Sequence, residues 1–140
     1  MTTVTFTVPG KPAPQGSKRH VGRGILIESS KEVGPWRDCI ALAAHTAMGG
    51  RNLFDGAVHA QLEFTMPRPK SAPKRSTPPA AKRPDIDKLA RACLDAISGV
   101  IICDDSQIIE LRASKRIAEI GETPGVAITV EPITGQAVDQ

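Results

Sequence analysis

The chain has 140 residues and a formal net charge of +3, a length that suits a single domain with a substantial core. Aromatic residues make up only 3% of the sequence and tyrosine is absent, which argues against single-strand binding on rows of stacked aromatic side chains. No apolar run approaches the length of a membrane span, and the N-terminus lacks the continuous apolar stretch of a signal peptide. We therefore expect one soluble, cytoplasmic domain over residues 1–140.

The three cysteines show no spacing that indicates a metal or redox site. Cys39, Cys93 and Cys103 form no CxxC pair and have no histidines at zinc-binding distance in the sequence. We expect them to be small core residues in a reducing cytoplasm.

The first part of the chain predicts a strand, a loop and a second, short strand. Residues 3–8 alternate between threonine and apolar side chains, which is typical of a half-buried strand. Prolines and glycines recur through the segment 9–20, so the sequence predicts a loop without regular structure there. Residues 25–27 predict a short strand.

A helix and a long strand are predicted next. Ser29 and Ser30 are suitable N-caps for a helix that runs to about Met48, and the two glycines at 49–50 end it. In residues 57–66, apolar side chains alternate with polar ones, which predicts a strand with one buried face.

Residues 67–84 form a cationic segment that is broken by prolines. It contains six prolines, six basic residues and no acidic one, with almost nothing to bury. Such a segment cannot order itself by burial, so we predict that it is mobile without a partner. A basic run can be a solvated linker, but beside an acidic site it suits contact with DNA phosphates. Including the loop before it, the cations predicted to bind DNA are Lys18, Arg19, Lys70, Lys74, Arg75, Lys82 and Arg83.

The last part of the chain predicts a helix and two more strands. Apolar residues recur at helical spacing after Asp87, and alternation predicts strands over 109–114 and 126–130. The predicted fold is α/β (α+β-like): a small, mixed, mostly antiparallel four-stranded sheet covered by two helices.

Two acidic motifs stand out in this basic chain: Asp85 with Asp87, and Asp104 with Asp105. Clustered carboxylates repel one another unless a cation neutralises them, and oxygen ligands suit Mg²⁺ or Mn²⁺. Arg83 precedes a proline and is therefore biased toward extended geometry. We expect the chain to stay extended up to Asp87, which would be the N-cap of the following helix. In extended chain the side chains of Asp85 and Asp87 would point to the same side of the backbone. After this helix the chain turns back toward the next strand, and we expect this turn to bring the carboxylate of either Asp104 or Asp105 close to those of Asp85 and Asp87.

Each acidic motif also has a structural interpretation. Asp87 alone could be a helix cap, and Asp104-Asp105 alone could be a turn. Their occurrence together, beside a cationic segment, favours a metal site that contacts nucleic acid.

Three short motifs together resemble the RusA family of Holliday-junction resolvases, which are small endodeoxyribonucleases common in bacteriophages and prophages. They are Asp85-Ile86-Asp87, Leu94-Asp95-Ala96 and Asp104-Asp105-Ser106-Gln107. The similarity is strongest over 84–116 and extends more weakly over most of the chain. It implies a RusA-like fold, a homodimer, Mg²⁺-dependent nicking, and catalytic, metal-binding carboxylates at Asp85, Asp87 and Asp105, with Asp104 as an alternative ligand.

The sequence departs from the family pattern at two positions. The functional lysine six residues after the first aspartate is Arg91 here, and the usual asparagine after the second aspartate is Lys88, which adds a cation for DNA. Arginine keeps its charge and does not give up its proton, so we expect Arg91 to act electrostatically.

The resulting hypothesis is a Mg²⁺-dependent endonuclease, with Mn²⁺ as a substitute, that resolves branched DNA in recombination and repair by paired nicks. Two alternatives stay open: a non-catalytic DNA-binding module, and a Mg²⁺-dependent flap or duplex nuclease.

Overall fold

The computed structural model describes residues 3–16, 18–20, 26–28 and 31–134. The elements follow one another along the chain as strands β1 (Val4–Pro9), β2 (Lys18–His20) and β3 (Leu26–Glu28), helix α1 (Val33–Met48), strand β4 (Val58–Met66), helix α2 (Ile86–Ile97), a 3₁₀ turn (Asp105–Gln107), and strands β5 (Ile108–Ile117) and β6 (Gly125–Pro132).

The main sheet has four strands in the order β1-β6-β4-β5. Strand β6 is antiparallel to both β1 and β4, whereas β4 and β5 are parallel. A parallel pair needs a long crossover, and here the chain from β4 to β5 passes through α2. The prediction of a mixed, mostly antiparallel four-stranded sheet with two helices is confirmed.

The core lies between the sheet and the two helices. Alternate residues of β4 from Val58 to Met66 are buried, as the sequence pattern predicts. The apolar faces of the helices pack against them, including Trp36 and Ile40 of α1 and Leu89 of α2. None of the described helices is both long and apolar enough to cross a membrane.

The cysteines divide between core and surface. Cys93 is buried in α2, where loss of hydration raises the pKa of its thiol to about 12. Cys39 and Cys103 are exposed, so the prediction that all three are core residues is wrong for these two. Cys39 lies on the exposed side of α1, and Cys103 lies in the bend between α2 and the 3₁₀ turn.

Two predicted boundaries differ from the structure. The segment 9–20 is not wholly irregular, because Lys18–His20 form β2 and pair with β3. The prolines and glycines of this segment end at Gly16, which leaves the backbone beyond it free to form a ladder.

Helix α1 begins at Val33, later than predicted. Its N-cap position is Glu32, whose side chain forms no capping hydrogen bond with a described residue, and the predicted caps Ser29 and Ser30 lie outside the described residues. The predicted end is confirmed, since Gly49 has a left-handed φ of 59° and donates its N–H back to the last turn.

Candidate nucleic-acid interface and acidic site

Asp85 occupies the N-cap of α2 and Asp87 lies in the first turn. The backbone carbonyl of Asp85 accepts hydrogen bonds from the N–H groups of Lys88 and Leu89, both at 3.1 Å. The prediction that Asp87 is the N-cap and that both aspartates share one side of an extended chain is therefore wrong. The proline restricts only the residue before it, so the helix can begin directly after Asp85.

Both carboxylates of this motif are exposed at the positive end of the helix dipole. The side chain of Asp85 forms no capping hydrogen bond within the described part of the chain, so its oxygens face solvent. Both carboxylates are therefore accessible to a ligand from solvent.

The second acidic motif forms a capped 3₁₀ turn before β5. Asp104 Oδ2 accepts the backbone N–H of Ser106 at 2.9 Å. Hydrogen bonding from the Ser106 side chain, and then from its backbone N–H, holds the pKa of the Asp104 carboxyl below its usual range. Asp105, the next residue, is exposed on the turn. Asp104 is thus engaged in the turn itself, which leaves Asp105 better suited to bind a ligand.

Gln107 ties this turn to the start of β4. Its Oε1 accepts the N–H groups of Cys103 and Asp104, at 2.7 and 2.9 Å. Its Nε2 donates to the carbonyls of Phe54 and Gly56, both at 2.8 Å. The half-buried side chain therefore uses both ends to fix the Asp104-Asp105 backbone, a role that the sequence motif alone did not reveal.

Replacing Gln107 by leucine should lower the free energy of unfolding by about 1–3 kcal/mol, because two backbone carbonyls lose their donor. Urea denaturation measures this loss. The matched control is Gln61→Leu, which removes a glutamine whose Nε2 donates to the exposed Glu63 carboxylate at 2.8 Å. Equal stability of the two variants would contradict a special role for Gln107.

Helix α2 separates the two acidic motifs within one chain. Its twelve residues span about 18 Å. Ile102, shortly before Asp105, bonds to Ile97 at the C-terminal end of the helix, whereas Asp85 lies at the N-terminal end. Asp105 therefore does not lie close to Asp85 in the same chain, and the expectation that the turn after α2 brings the two acidic motifs together is wrong.

No group of three or more His, Cys, Asp and Glu side chains that could hold a metal ion occurs among the described residues. The single chain thus does not assemble the predicted three-carboxylate site. The reason is topological, because the chain after Asp87 continues as a straight helix and a tight turn rather than folding back. The metal-binding roles of the individual carboxylates remain proposals.

A cleft of about 480 Å³ opens beside Asp85. The Pro-rich segment before β2 forms one wall, and the N–H of Gln15 bonds to the carbonyl of Lys88 at 2.9 Å across its end. Three cations, Lys11, Arg83 and Lys88, line this cleft together with two carboxylates, Asp85 and Glu32. Positive charge around an exposed carboxylate is an arrangement that attracts a phosphodiester.

Lys11 belongs to this surface although the sequence prediction did not include it among the DNA-binding residues. Its Nζ lies 3.9 Å from Glu32, but both side chains are well exposed, so this ion pair contributes little. The signal that could have identified it is its place in the same Pro- and Gly-rich segment as the predicted cations of the N-terminal loop.

Lys115 of β5 fixes the end of the basic segment next to Asp85. Its Nζ donates to the carbonyls of Lys82 and Pro84, at 2.7 and 2.6 Å. A charged donor on two backbone carbonyls is a strong anchor for this turn. Sequence reasoning missed it, because contact between β5 and the basic segment depends on the fold.

Arg68 organises the other end of the basic segment. Its guanidinium donates to Thr77 Oγ1 at 2.9 Å and to the carbonyls of Ser76 and Ala118 at 2.7 and 3.1 Å, and it also contacts the carbonyl of Pro73. One of the six cations of residues 67–84 thus binds groups within the chain. The mobility of this segment without a partner stays a prediction.

The other predicted cations differ in position. Five of them are exposed on the basic segment: Lys70, Lys74, Arg75, Lys82 and Arg83. Lys88, on α2, is half-buried. The side chains of Lys18 and Arg19, in β2, lie outside the described residues.

Asp87, Arg91 and Asp95 are all exposed along α2 and follow one another at intervals of four residues, which places them on one face of the helix. In the described chain no ion pair involves Asp87 or Arg91. The Arg91 guanidinium is therefore available on the same helix face as Asp87.

Comparison with known proteins agrees with these features. The family described as Endodeoxyribonuclease RusA matches residues 9–131, which is most of the chain. An uncharacterized protein of Bacillus subtilis (strain 168), YqaN, is 26% identical over 145 residues, and the match covers 96% of this chain and 99% of that protein. The chain belongs to the RusA family of endodeoxyribonucleases.

Proposed function

We propose that this protein is a Mg²⁺-dependent endonuclease that resolves four-way DNA junctions by paired nicks. The observation that carries the proposal is the cleft at the start of α2, where Asp85 lies among the cations Lys11, Arg83 and Lys88 in a member of a nuclease family. Basic side chains would hold the DNA backbone there, and the carboxylates would face the scissile phosphate.

The proposed roles divide between anionic and cationic side chains. Asp85 and Asp87 would be the carboxylates that hold Mg²⁺ or its substitute Mn²⁺ at the start of α2. Asp105 lies at the other end of the helix in the same chain, so it would reach that ion only from the second chain of the proposed homodimer, and Asp104 would be an alternative ligand limited by its bond within the turn. Arg91 would stabilise the negative charge that develops on the phosphate during cleavage. Lys88 would assist at the wall of the cleft.

Paired nicking follows from the symmetry of the proposed substrate. A four-way junction has two strands of equivalent position, and a homodimer with two-fold symmetry would present one site to each. A cytoplasmic role in recombination or repair, in a bacterium or its phage, fits this activity.

The proposed function is tested on synthetic four-way, flap and linear DNA, with Mg²⁺ and with EDTA. We expect paired nicks in the four-way junction that require Mg²⁺ and stop when EDTA removes it. Preferred cutting of flaps or linear duplex would favour a general nuclease. Junction binding without cutting, in Mg²⁺ and in Mn²⁺, would favour a non-catalytic binding module.

Neutralising the five exposed cations of the basic segment should weaken binding to every DNA sequence. Each lost phosphate contact removes about 0.9 from the slope of log affinity against log salt concentration for duplex DNA. Binding titrations at several salt concentrations, on two unrelated sequences, measure the slope and its independence of sequence. The positions to change are Lys70, Lys74, Arg75, Lys82 and Arg83.

An unchanged slope would show that the basic segment is only a linker. The cations of the cleft would then account for the binding, and a Lys11→Gln variant, in the opposite wall, would be the one to reduce the slope.

A further inference from the structure

The two ends of the basic segment, residues 67–84, are both held at the same end of the main sheet. Lys115, near the end of β5, binds two backbone carbonyls at the C-terminal end of the segment. Arg68, at its N-terminal end, donates to the carbonyl of Ala118, which follows directly after β5, at 3.1 Å. The segment therefore leaves the sheet and returns to it as a closed loop.

The guanidinium of Arg68 lies at the centre of the first part of this loop. It donates to the carbonyl of Ser76 at 2.7 Å, to Thr77 Oγ1 at 2.9 Å, and to the carbonyl of Pro73. The planar fork of an arginine carries five N–H donors, so it can satisfy several acceptors in different directions at once. One side chain thus closes the loop from residue 68 to residue 77.

Thr77 joins the loop to the turn between β5 and β6. Its hydroxyl accepts a hydrogen bond from Arg68 and donates one to Glu119 Oε1. The turn is itself held in place, because Glu122 Oε1 accepts the N–H of Glu119 at 2.9 Å and the guanidinium of Arg116 at 2.7 Å. Arg68, Thr77 and Glu119 thus form one hydrogen-bonded network, the Arg68 network.

The Arg68 network is attached to the buried part of the sheet. Ala118, whose carbonyl it binds, is 1% exposed, and the N–H of Ala118 donates to the carbonyl of Met66 at the end of β4 at 2.9 Å. A β-turn adds local order, since the N–H of Ala72 donates to the carbonyl of Pro69 at 3.0 Å. Residues 68–77 therefore have partners both in the sheet and within the loop.

Three other cations on this part of the loop have no such partners. Lys70, Lys74 and Arg75 are exposed, and between the residues that the structure describes no ion pair involves their side chains. Lys74 and Arg75 line a groove of about 430 Å³, together with the Arg68 network, Ser76 and Ile120. The loop thus presents unpaired positive charge to solvent, which suits contact with DNA phosphates.

We propose that Arg68 is a positioning residue for DNA: through the Arg68 network it holds Lys70, Lys74 and Arg75 in place before a duplex arm binds. The proposal rests on the proposed function, because the DNA is the same substrate. A loop that is already ordered loses little conformational entropy on binding, so its affinity exceeds that of a flexible segment with the same charges. The predicted mobility of the basic segment is then limited to residues 78–81.

The salt dependence of binding distinguishes positioning from a direct phosphate contact. Arg68→Lys keeps the positive charge but loses the guanidinium fork, and Thr77→Val removes only a neutral hydroxyl. Both variants should bind a four-way junction in EDTA roughly tenfold more weakly at every salt concentration, with an unchanged slope of log affinity against log salt concentration. Lys74→Gln should instead reduce the magnitude of that slope by about 0.9.

Trypsin digestion of the protein without DNA measures the order of the loop. Arg68 precedes a proline and is a poor trypsin site, so cleavage in this part of the loop occurs after Lys70, Lys74 and Arg75. These sites should resist digestion in the wild type and be cut at least roughly tenfold faster in Arg68→Lys and Thr77→Val. Neither substitution adds a site, since residue 68 still precedes a proline.

The matched control is Arg51→Lys. The Arg51 guanidinium also donates to backbone carbonyls, those of Met48 and Ala47 at 3.0 and 3.2 Å, but it lies before β4, whereas the basic segment follows β4. This variant should keep the wild-type affinity for the junction and the wild-type resistance of the loop to trypsin.

Rapid digestion of the wild-type loop would overturn the proposal, and so would wild-type affinity in both network variants. A smaller slope in Arg68→Lys would also overturn it, because Arg68 would then contact a phosphate itself. Each of these results would leave the nuclease function standing. A wild type that binds junctions through this loop and cuts none, in Mg²⁺ and in Mn²⁺, would overturn the proposed nuclease function and not the role of Arg68.

Discussion

Replacing Asp85 or Asp87 by asparagine should abolish cleavage of four-way junctions while leaving junction binding intact or tighter. The amide keeps the size of the side chain but removes the negative charge that a bound cation requires. It also removes a charge that repels the DNA phosphates, and this explains why binding should not weaken. Cleavage rates and binding titrations on the same junction separate the two effects.

Stability measurements make this result specific to the site. Both side chains are exposed, and the Asp85 carboxylate makes no capping hydrogen bond with any described residue, so its loss should not destabilise α2. Asparagine is also a good N-cap residue. The matched control is Asp38→Asn on the exposed side of α1, which should cut at the wild-type rate. Wild-type cutting by either site variant would show that the carboxylate assignment is wrong.

The parts of the fold that the sequence predicts are those governed by local periodicity. The alternation along β4 and the apolar spacing around Leu89 and Cys93 each specify a buried face, and the structure confirms both. Gly49 ends α1 as predicted because its left-handed conformation is costly for other residues. Each of these features is predicted from residues that are close to it in the sequence.

The start of α2 shows the limit of this reasoning. The restriction imposed by Pro84 acts on Arg83, and extending it to Asp87 placed the helix two residues too late. An N-cap aspartate followed by an aspartate in the first turn satisfies the local helix signals equally well. The local signals therefore do not distinguish a helix that starts after Asp85 from one that starts after Asp87.

The composition of the site depends on contacts between distant parts of the sequence. Gln107 bonds to Phe54 and Gly56, more than fifty residues earlier, and Lys115 bonds to Pro84, thirty-one residues earlier. Nothing in the local pattern of either residue indicates these partners. The same applies to the separation of Asp85 from Asp105, since it is set by the direction of α2.

Replacing Arg91 by alanine should reduce the rate of junction cleavage by roughly a hundredfold, the scale expected when one electrostatic stabiliser of a transition state is lost. Arg91 is exposed on α2 one turn after Asp87, so its charge can reach a phosphate held near that carboxylate. Single-turnover cleavage at saturating enzyme measures the effect on the chemical step, apart from any effect on binding.

The lysine variant distinguishes a charge from a specific contact. Arg91→Lys should recover much of the lost rate if the positive charge is what stabilises the transition state. A lysine variant as slow as the alanine variant would instead require a bidentate contact from the guanidinium, which lysine cannot form. Alanine and lysine both favour an exposed helix interior, so α2 should remain folded in each variant, and unchanged thermal unfolding would verify this. Under those conditions the difference in rate between alanine and lysine measures how much of the role of Arg91 depends on charge alone.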